Sequence, residues 1–103
     1  MKFIMIYATH TDKKEAEKIV SGLLEERLIA CANLYPISSM YTWKGKVNKE
    51  AEIVTILKTK QNNWNKIKEY IKKHHSYEVP CIINMGEMEP NEEFMKWVKD
   101  ETK

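Results

Sequence analysis

Apolar residues recur along this chain with two different periods, and the switches between them mark out its elements. Lys2 to Ala8 (KFIMIYA) is nearly all apolar, with β-branched and aromatic members. That suits a central strand buried on both faces. Asp12 then stands three residues before Glu15, the spacing of a capping box. In such a box the Asp side chain accepts from an early backbone N–H while the Glu reaches back. Behind it Ala16, Ile19, Val20, Leu23 and Leu24 recur at helical spacing, and Lys13, Lys14, Glu17 and Lys18 fall off that stripe. An amphipathic helix of about four turns is expected, ending near Arg27.

Ala30 to Leu34 reads as a second strand. Pro36 cannot donate a ladder hydrogen bond, so a bulge or bend is expected there before the strand resumes over Ile37 to Trp43. Lys44-Gly45-Lys46 signals a turn, and Ala51 to Thr59 (AEIVTILKT) a third strand, so that the two form a long hairpin. Asn62 or Asn63 can cap a second helix whose apolar stripe is Trp64, Ile67 and Ile71. Lys66, Lys68, Lys72 and Lys73 form its solvated face. Val79 to Met85 reads as a fourth strand with Pro80 near its start. Pro90 and Asn91 open a last helix, with Glu92 and Glu93 in its N-terminal turn and Phe94, Trp97 and Val98 on its buried side.

The order β-α-β-β-α-β plus a terminal helix defines an α+β chain. It is the split βαβ, ferredoxin-like arrangement, with an antiparallel sheet and a long β2–β3 hairpin. Its 103 residues fit a single domain spanning 1–103. The net charge is only +2, and of 17 basic residues Arg27 alone is arginine, which argues against nucleic-acid binding. The third strand carries no aromatic for stacking on bases, so an RNA-recognition module is excluded as well. Cys31 and Cys81 form neither a C-x-x-C pair nor a disulfide framework. No apolar run reaches membrane length, and the expectation is a reduced, cytoplasmic protein. No nucleophile–base pair, metal triad or phosphate loop is legible, so no catalytic residue is assigned and an enzyme is not expected.

Three segments carry a specific likeness. Glu26-Arg27-Leu28-Ile29-Ala30-Cys31-Ala32-Asn33, Tyr41-Thr42-Trp43-Lys44-Gly45-Lys46-Val47 and His75-Ser76-Tyr77-Glu78-Val79-Pro80 resemble, in order and spacing, signature segments of the CutA divalent-cation tolerance family. Phe94, Trp97 and Val98 match the apolar residues of that family's last helix. The resemblance implies a ferredoxin-like homotrimer whose long hairpins pair across subunits, associated with tolerance to copper and other divalent ions. It implies no obligatory cofactor. It also implies a likeness of shape to the PII signalling proteins, and so a second reading: a structural or signalling interaction module with no physiological metal.

Against that background His75 is the leading ligand candidate, since imidazole binds copper and zinc readily. Cys81 stands where the family usually has Glu, and a thiolate would favour Cu(I) or Zn. Glu78 would orient or supplement the imidazole. The expected metal ligands are therefore His75, Cys81 and Glu78, with Tyr77 and Cys31 at a ligand cleft between subunits. Some family members carry a metal-binding Cys near the end of the first strand, where Ala8 stands here. His10, two residues on, is expected in a loop. Tyr41 and Trp43 are large for a hairpin tip that cannot bury them alone, and are expected at the trimer interface.

Overall fold

The computed structural model describes Met1–Lys103. The elements are β1 (Phe3–His10), α1 (Lys13–Glu25), β2 (Cys31–Trp43), β3 (Lys46–Lys60), a 3-10 turn (Gln61–Asn63), α2 (Trp64–His74), β4 (Ile82–Glu87) and α3 (Glu92–Glu101). All strand pairs are antiparallel and the sheet order is β2-β3-β1-β4, the ferredoxin-like arrangement.

Residues of one strand face share a parity, and the pairing of Ile4 with Thr59, Ile6 with Leu57 and Ala8 with Thr55 sets which parity meets the helices. Ile4, Ile6, Ala8 and Leu57 form the main core with Ile19, Val20 and Leu23 of α1 and Ile67 and Ile71 of α2. Each large aliphatic side chain fully buried there contributes about 1.5–3 kcal/mol. A smaller cluster on the opposite parity joins Phe3 and Ala30 to Val98 of α3, with Phe94 packed against it. Of the last helix's expected buried side, Val98 is fully enclosed and Phe94 half-buried, whereas Trp97 is exposed.

Local chemistry explains the ends. Asp12 caps α1 by accepting from the Glu15 N–H at 2.8 Å. The reciprocal half of the box is displaced by one residue: Glu15 Oε1 accepts from the Thr11 N–H at 3.5 Å. The helix closes at Glu25. Leu28 N–H bonds to Leu23 C=O and Arg27 N–H to Leu24 C=O, a Schellman closure with Arg27 at φ 57°. The Arg27 guanidinium then donates to the carbonyls of Glu101 (3.2 Å) and Asp100 (3.0 Å), sealing the end of α3.

Several sequence expectations shift. β2 runs unbroken through Pro36, which pairs with Ile53 in register, so the expected bulge is absent. β2 is an edge strand, where every second N–H points away from the sheet and a proline costs no ladder bond. β3 begins at Lys46 rather than Ala51, and Lys44-Gly45 turn the hairpin with both φ positive (50° and 78°), as a type I′ turn requires. Asn63, not Asn62, precedes α2, but its side chain caps nothing. It donates instead to Leu28 C=O at 3.2 Å, where the Thr59 hydroxyl also donates at 2.6 Å. β4 is Ile82–Glu87, and Val79 and Pro80 lie before it. His10 is not in a loop: it is the last residue of β1 and completely buried.

Candidate functional site

The end of β1, the start of α1 and the end of α2 meet at one point. His10 follows Ile4, Ile6 and Ala8 in parity and so turns its ring under the helices. Its Nε2 lies 2.9 Å from Thr55 Oγ1, while its Nδ1 has no hydrogen-bond partner. His75, which ends α2, stacks on it with ring centroids 5.3 Å apart. Glu15, held at the first turn of α1, places Oε1 3.8 Å from His10 Nδ1 and 3.5 Å from His75 Nε2.

The partners of His75 fix its proton. Nε2 is 2.7 Å from the Thr9 carbonyl, which only accepts, and Nδ1 is 3.0 Å from the Tyr77 N–H, which only donates. The ring is therefore a neutral imidazole protonated at Nε2. Burial first, then the His75 ring, pushes the His10 imidazole down to about 4. The His10 ring is therefore neutral at physiological pH.

On the sheet face opposite α1 and α2 lies a cleft of about 750 Å³. Tyr41, Trp43, Glu50 and Glu52 of the hairpin face Tyr77, Glu78 and Cys81 across it. The Tyr77 hydroxyl donates to Glu52 Oε2 at 2.8 Å, and Glu52 is buried although it is an acid. Burial, followed by the hydrogen bond to Glu52, holds the Tyr77 phenol far above its ordinary value. Burial and then Glu52 push the Cys81 thiol up. The thiol form is thus favoured.

The cleft gathers Tyr77, Glu78, Cys81, Tyr41 and Trp43 of the expected site residues. It does not gather His75, which touches the lining residues Thr9 and Tyr77 through the Thr9 carbonyl, the Tyr77 N–H and the Tyr77 ring. The ligand atoms that lie within 4.8 Å of one another are those of His10, Glu15 and His75, so Glu78 and Cys81 do not complete a ligand set with His75. Cys31 is not at the cleft. It pairs with Lys58 on the face that α3 partly covers, where Lys58 Nζ lies 5.5 Å from the Phe94 ring centroid, and burial raises its thiol while that lysine lowers it.

Sequence reasoning missed Glu52, Glu15 and the burial of His10. The signal for His10 was present in the parity of Ile4, Ile6 and Ala8. Glu52 shares the parity of Val54 and Ile56, which the apolar run around it obscured.

An antiparallel ferredoxin-like sheet with a projecting hairpin and an acidic cleft places the chain in the α+β class. Comparison with known proteins makes the assignment specific. The family model described as CutA1 divalent ion tolerance protein matches residues 4–101, and the chain belongs to this family. It is 46% identical over 100 residues to the divalent-cation tolerance protein CutA of Pyrococcus horikoshii, covering 97% of this chain and 98% of that one. It is 33% identical to the chloroplastic protein CutA 1 of rice, with 97% of this chain and 57% of that one covered. The structure of the periplasmic divalent cation tolerance protein CutA from Archaeoglobus fulgidus superposes with a TM-score of 0.95 at 34% identity, over 98% of this chain and 99% of that one. No helix of the protein is long and apolar enough to cross a membrane.

Proposed function

We propose that the protein is a non-enzymatic homotrimer of one domain per chain (1–103) that serves tolerance to divalent cations, copper among them, by binding a cation or small ligand in the cleft. The observation that carries this reading is the hairpin. In a single copy Trp43 is 40% exposed, Met40 71% and Val47 74%, at the far end of a molecule 45 Å long. Large apolar side chains grouped at one projecting tip mark an interaction surface. A second hairpin laid along the edge strand β2 covers them and uses its free backbone groups. The sheet face opposite α1 and α2, with Tyr35, Ile83 and Met85 exposed, offers the remaining contact.

Within the cleft, the carboxylates of Glu50, Glu52 and Glu78 and the thiol of Cys81 are the ligating groups, and Tyr77 holds Glu52 in place. Carboxylate with thiolate suits a borderline or soft ion such as Zn(II) or Cu(I). His75 acts here by fixing Tyr77 rather than by ligation. Two free cysteines fit a reducing, cytoplasmic compartment. The aromatic and apolar rim formed by Tyr41, Trp43 and Val79 favours a second occupant class, a small organic ligand sensed as in the PII signalling proteins.

Light scattering on the purified protein tests assembly: the expected particle is three times the 12.2 kDa protomer. Calorimetric titration with Cu(II), Cu(I) and Zn(II) tests the cleft, with Cys81→Ser and Glu78→Gln expected to weaken binding at least about tenfold. A lone protomer at micromolar concentration removes the trimer. Unchanged affinity in both variants removes the cleft as the metal site.

A further inference from the structure

The cleft leaves one polar group of the fold without a task. His10 is fully buried, yet its Nδ1 has no partner. A buried ring nitrogen left unpaired is uncommon, and an ion is one of the ordinary explanations. The far nitrogen of the same ring is held by Thr55, at 2.9 Å. An Nε2–H donating to the Thr55 hydroxyl leaves the Nδ1 lone pair bare and directed at Glu15. Metal-ligating histidines are oriented in this way, with the non-ligating nitrogen tied to a second group.

The spacing is that of a preformed ligand set. Tetrahedral coordination with bonds of about 2.0–2.1 Å separates ligand atoms by roughly 3.4 Å. Here Glu15 Oε1 lies 3.5 Å from His75 Nε2 and 3.8 Å from His10 Nδ1, and the three ligand atoms lie within 4.8 Å of one another. We propose that His10, Glu15 and His75 form a buried binding site for one borderline divalent transition-metal ion, of which Zn(II) is the type. Two imidazoles and one carboxylate suit zinc or copper and are too few and too nitrogen-rich for calcium or magnesium. The site lies behind the cleft and does not depend on the cleft holding anything.

Binding has a definite consequence at His75. Its Nε2 proton, now donated to the Thr9 carbonyl, must leave that nitrogen before the metal can take it. The proton moves to Nδ1, so the ring stays a neutral imidazole. Nδ1 then no longer accepts from the Tyr77 N–H. Metal entry therefore breaks two hydrogen bonds and frees the backbone at Tyr77, whose hydroxyl holds Glu52. The buried site reports its occupancy to the cleft through Thr9 and Tyr77, both of which line it.

The test is a Zn(II) titration of the full chain, by calorimetry and by competition against a chromophoric chelator, with Co(II) as a spectroscopic substitute. One ion per chain is expected, with the visible bands of tetrahedral Co(II) and a shift of the Tyr77 amide resonance on zinc addition. Glu15→Gln and His10→Gln are each expected to weaken binding by about 10–100-fold. Glu15 keeps an edge in solvent, so its variant remains informative if the buried His10 variant fails to fold. Unchanged affinity in Glu15→Gln, or an unmoved Tyr77 amide at saturation, overturns the site. Loss of binding in Cys81→Ser with Glu15→Gln unaffected also overturns it, and leaves the cleft reading standing. Loss in Glu15→Gln with Cys81→Ser still binding supports it, whatever the cleft holds.

Discussion

Tyr77→Phe removes one oxygen and asks how much the cleft wall depends on it. Glu52 is 7% exposed and its Oε2 accepts from the Tyr77 hydroxyl at 2.8 Å. A hydrogen bond to a charged group is worth about 1.5–3 kcal/mol, and a buried carboxylate stripped of its donor bears the full desolvation cost. A loss of about 2 kcal/mol is expected, close to a 30-fold change in the unfolding equilibrium, or about 8 °C in Tm for a domain of this size. The charge on Glu52 is what makes the bond strong. In a Glu52→Gln background the same substitution therefore costs only about half as much, because neutral bonds are roughly half as strong. The assay is a double-mutant cycle by denaturant unfolding, with every variant at one protomer concentration because assembly shifts apparent stability by mass action. Equal costs in the two backgrounds, or a cost below about 0.5 kcal/mol with Glu52 intact, refute the reasoning. Water in the cleft would then be satisfying the carboxylate as well as the phenol does.

Alkaline titration follows from the same pair. The folded-state value of the Tyr77 phenol is raised above the ordinary 10.0, so its contribution is intact below pH 10 and stability falls as pH rises through and beyond that point. Ultraviolet phenolate absorbance should show a late-titrating group that Tyr77→Phe removes. Arg27→Ala is expected to cost about 1–2 kcal/mol by freeing the last carbonyls of α3, read as faster amide exchange over residues 92–103. Arg27→Gly should recover the backbone share of that loss, because the position lies at φ 57°. Lys44→Asn is expected to raise the thermal midpoint slightly, by a gain of about 0.5 kcal/mol, since Asn-Gly suits a type I′ turn better than Lys-Gly. Gly45→Ala should cost about 1 kcal/mol by strain alone, because nothing lies within 4 Å of where its Cβ would stand.

How far the fold could be read from the sequence depended on whether burial was written into local periodicity. The stripe Ala16, Ile19, Val20 and Leu23 is the buried face of α1, and Asp12 caps it as its spacing predicts. Where both faces of an element meet solvent, the pattern carries no such information. Lys46 to Glu50 lie in β3 with scarcely a buried side chain, and only backbone pairing with Ser39 to Trp43 makes them a strand. Val79 misled in the opposite direction. It is β-branched and apolar, reads as strand, and stands exposed at the cleft rim.

The same distinction governs the site. That Tyr77, Glu78 and Cys81 share a wall is a local fact about five consecutive residues, and it was legible. That His75 turns from that wall to join His10 and Glu15 is not local. It requires α2 to end over the last residue of β1, and α1 to begin there too, with Asp12 setting the angle at which Glu15 leaves the helix. No spacing rule links residues on three elements, so the sequence groups His75 with Glu78 and Cys81, whereas the fold brings it beside His10 and Glu15. Period-two parity did carry part of the answer. Continued from Ile4, Ile6 and Ala8, it places His10 inside the protein, and a histidine placed there needs a partner for each ring nitrogen. Thr55 supplies one. The other nitrogen, bare and aimed at a carboxylate, is the physical reason to look for an ion where the chain's own polar groups run out.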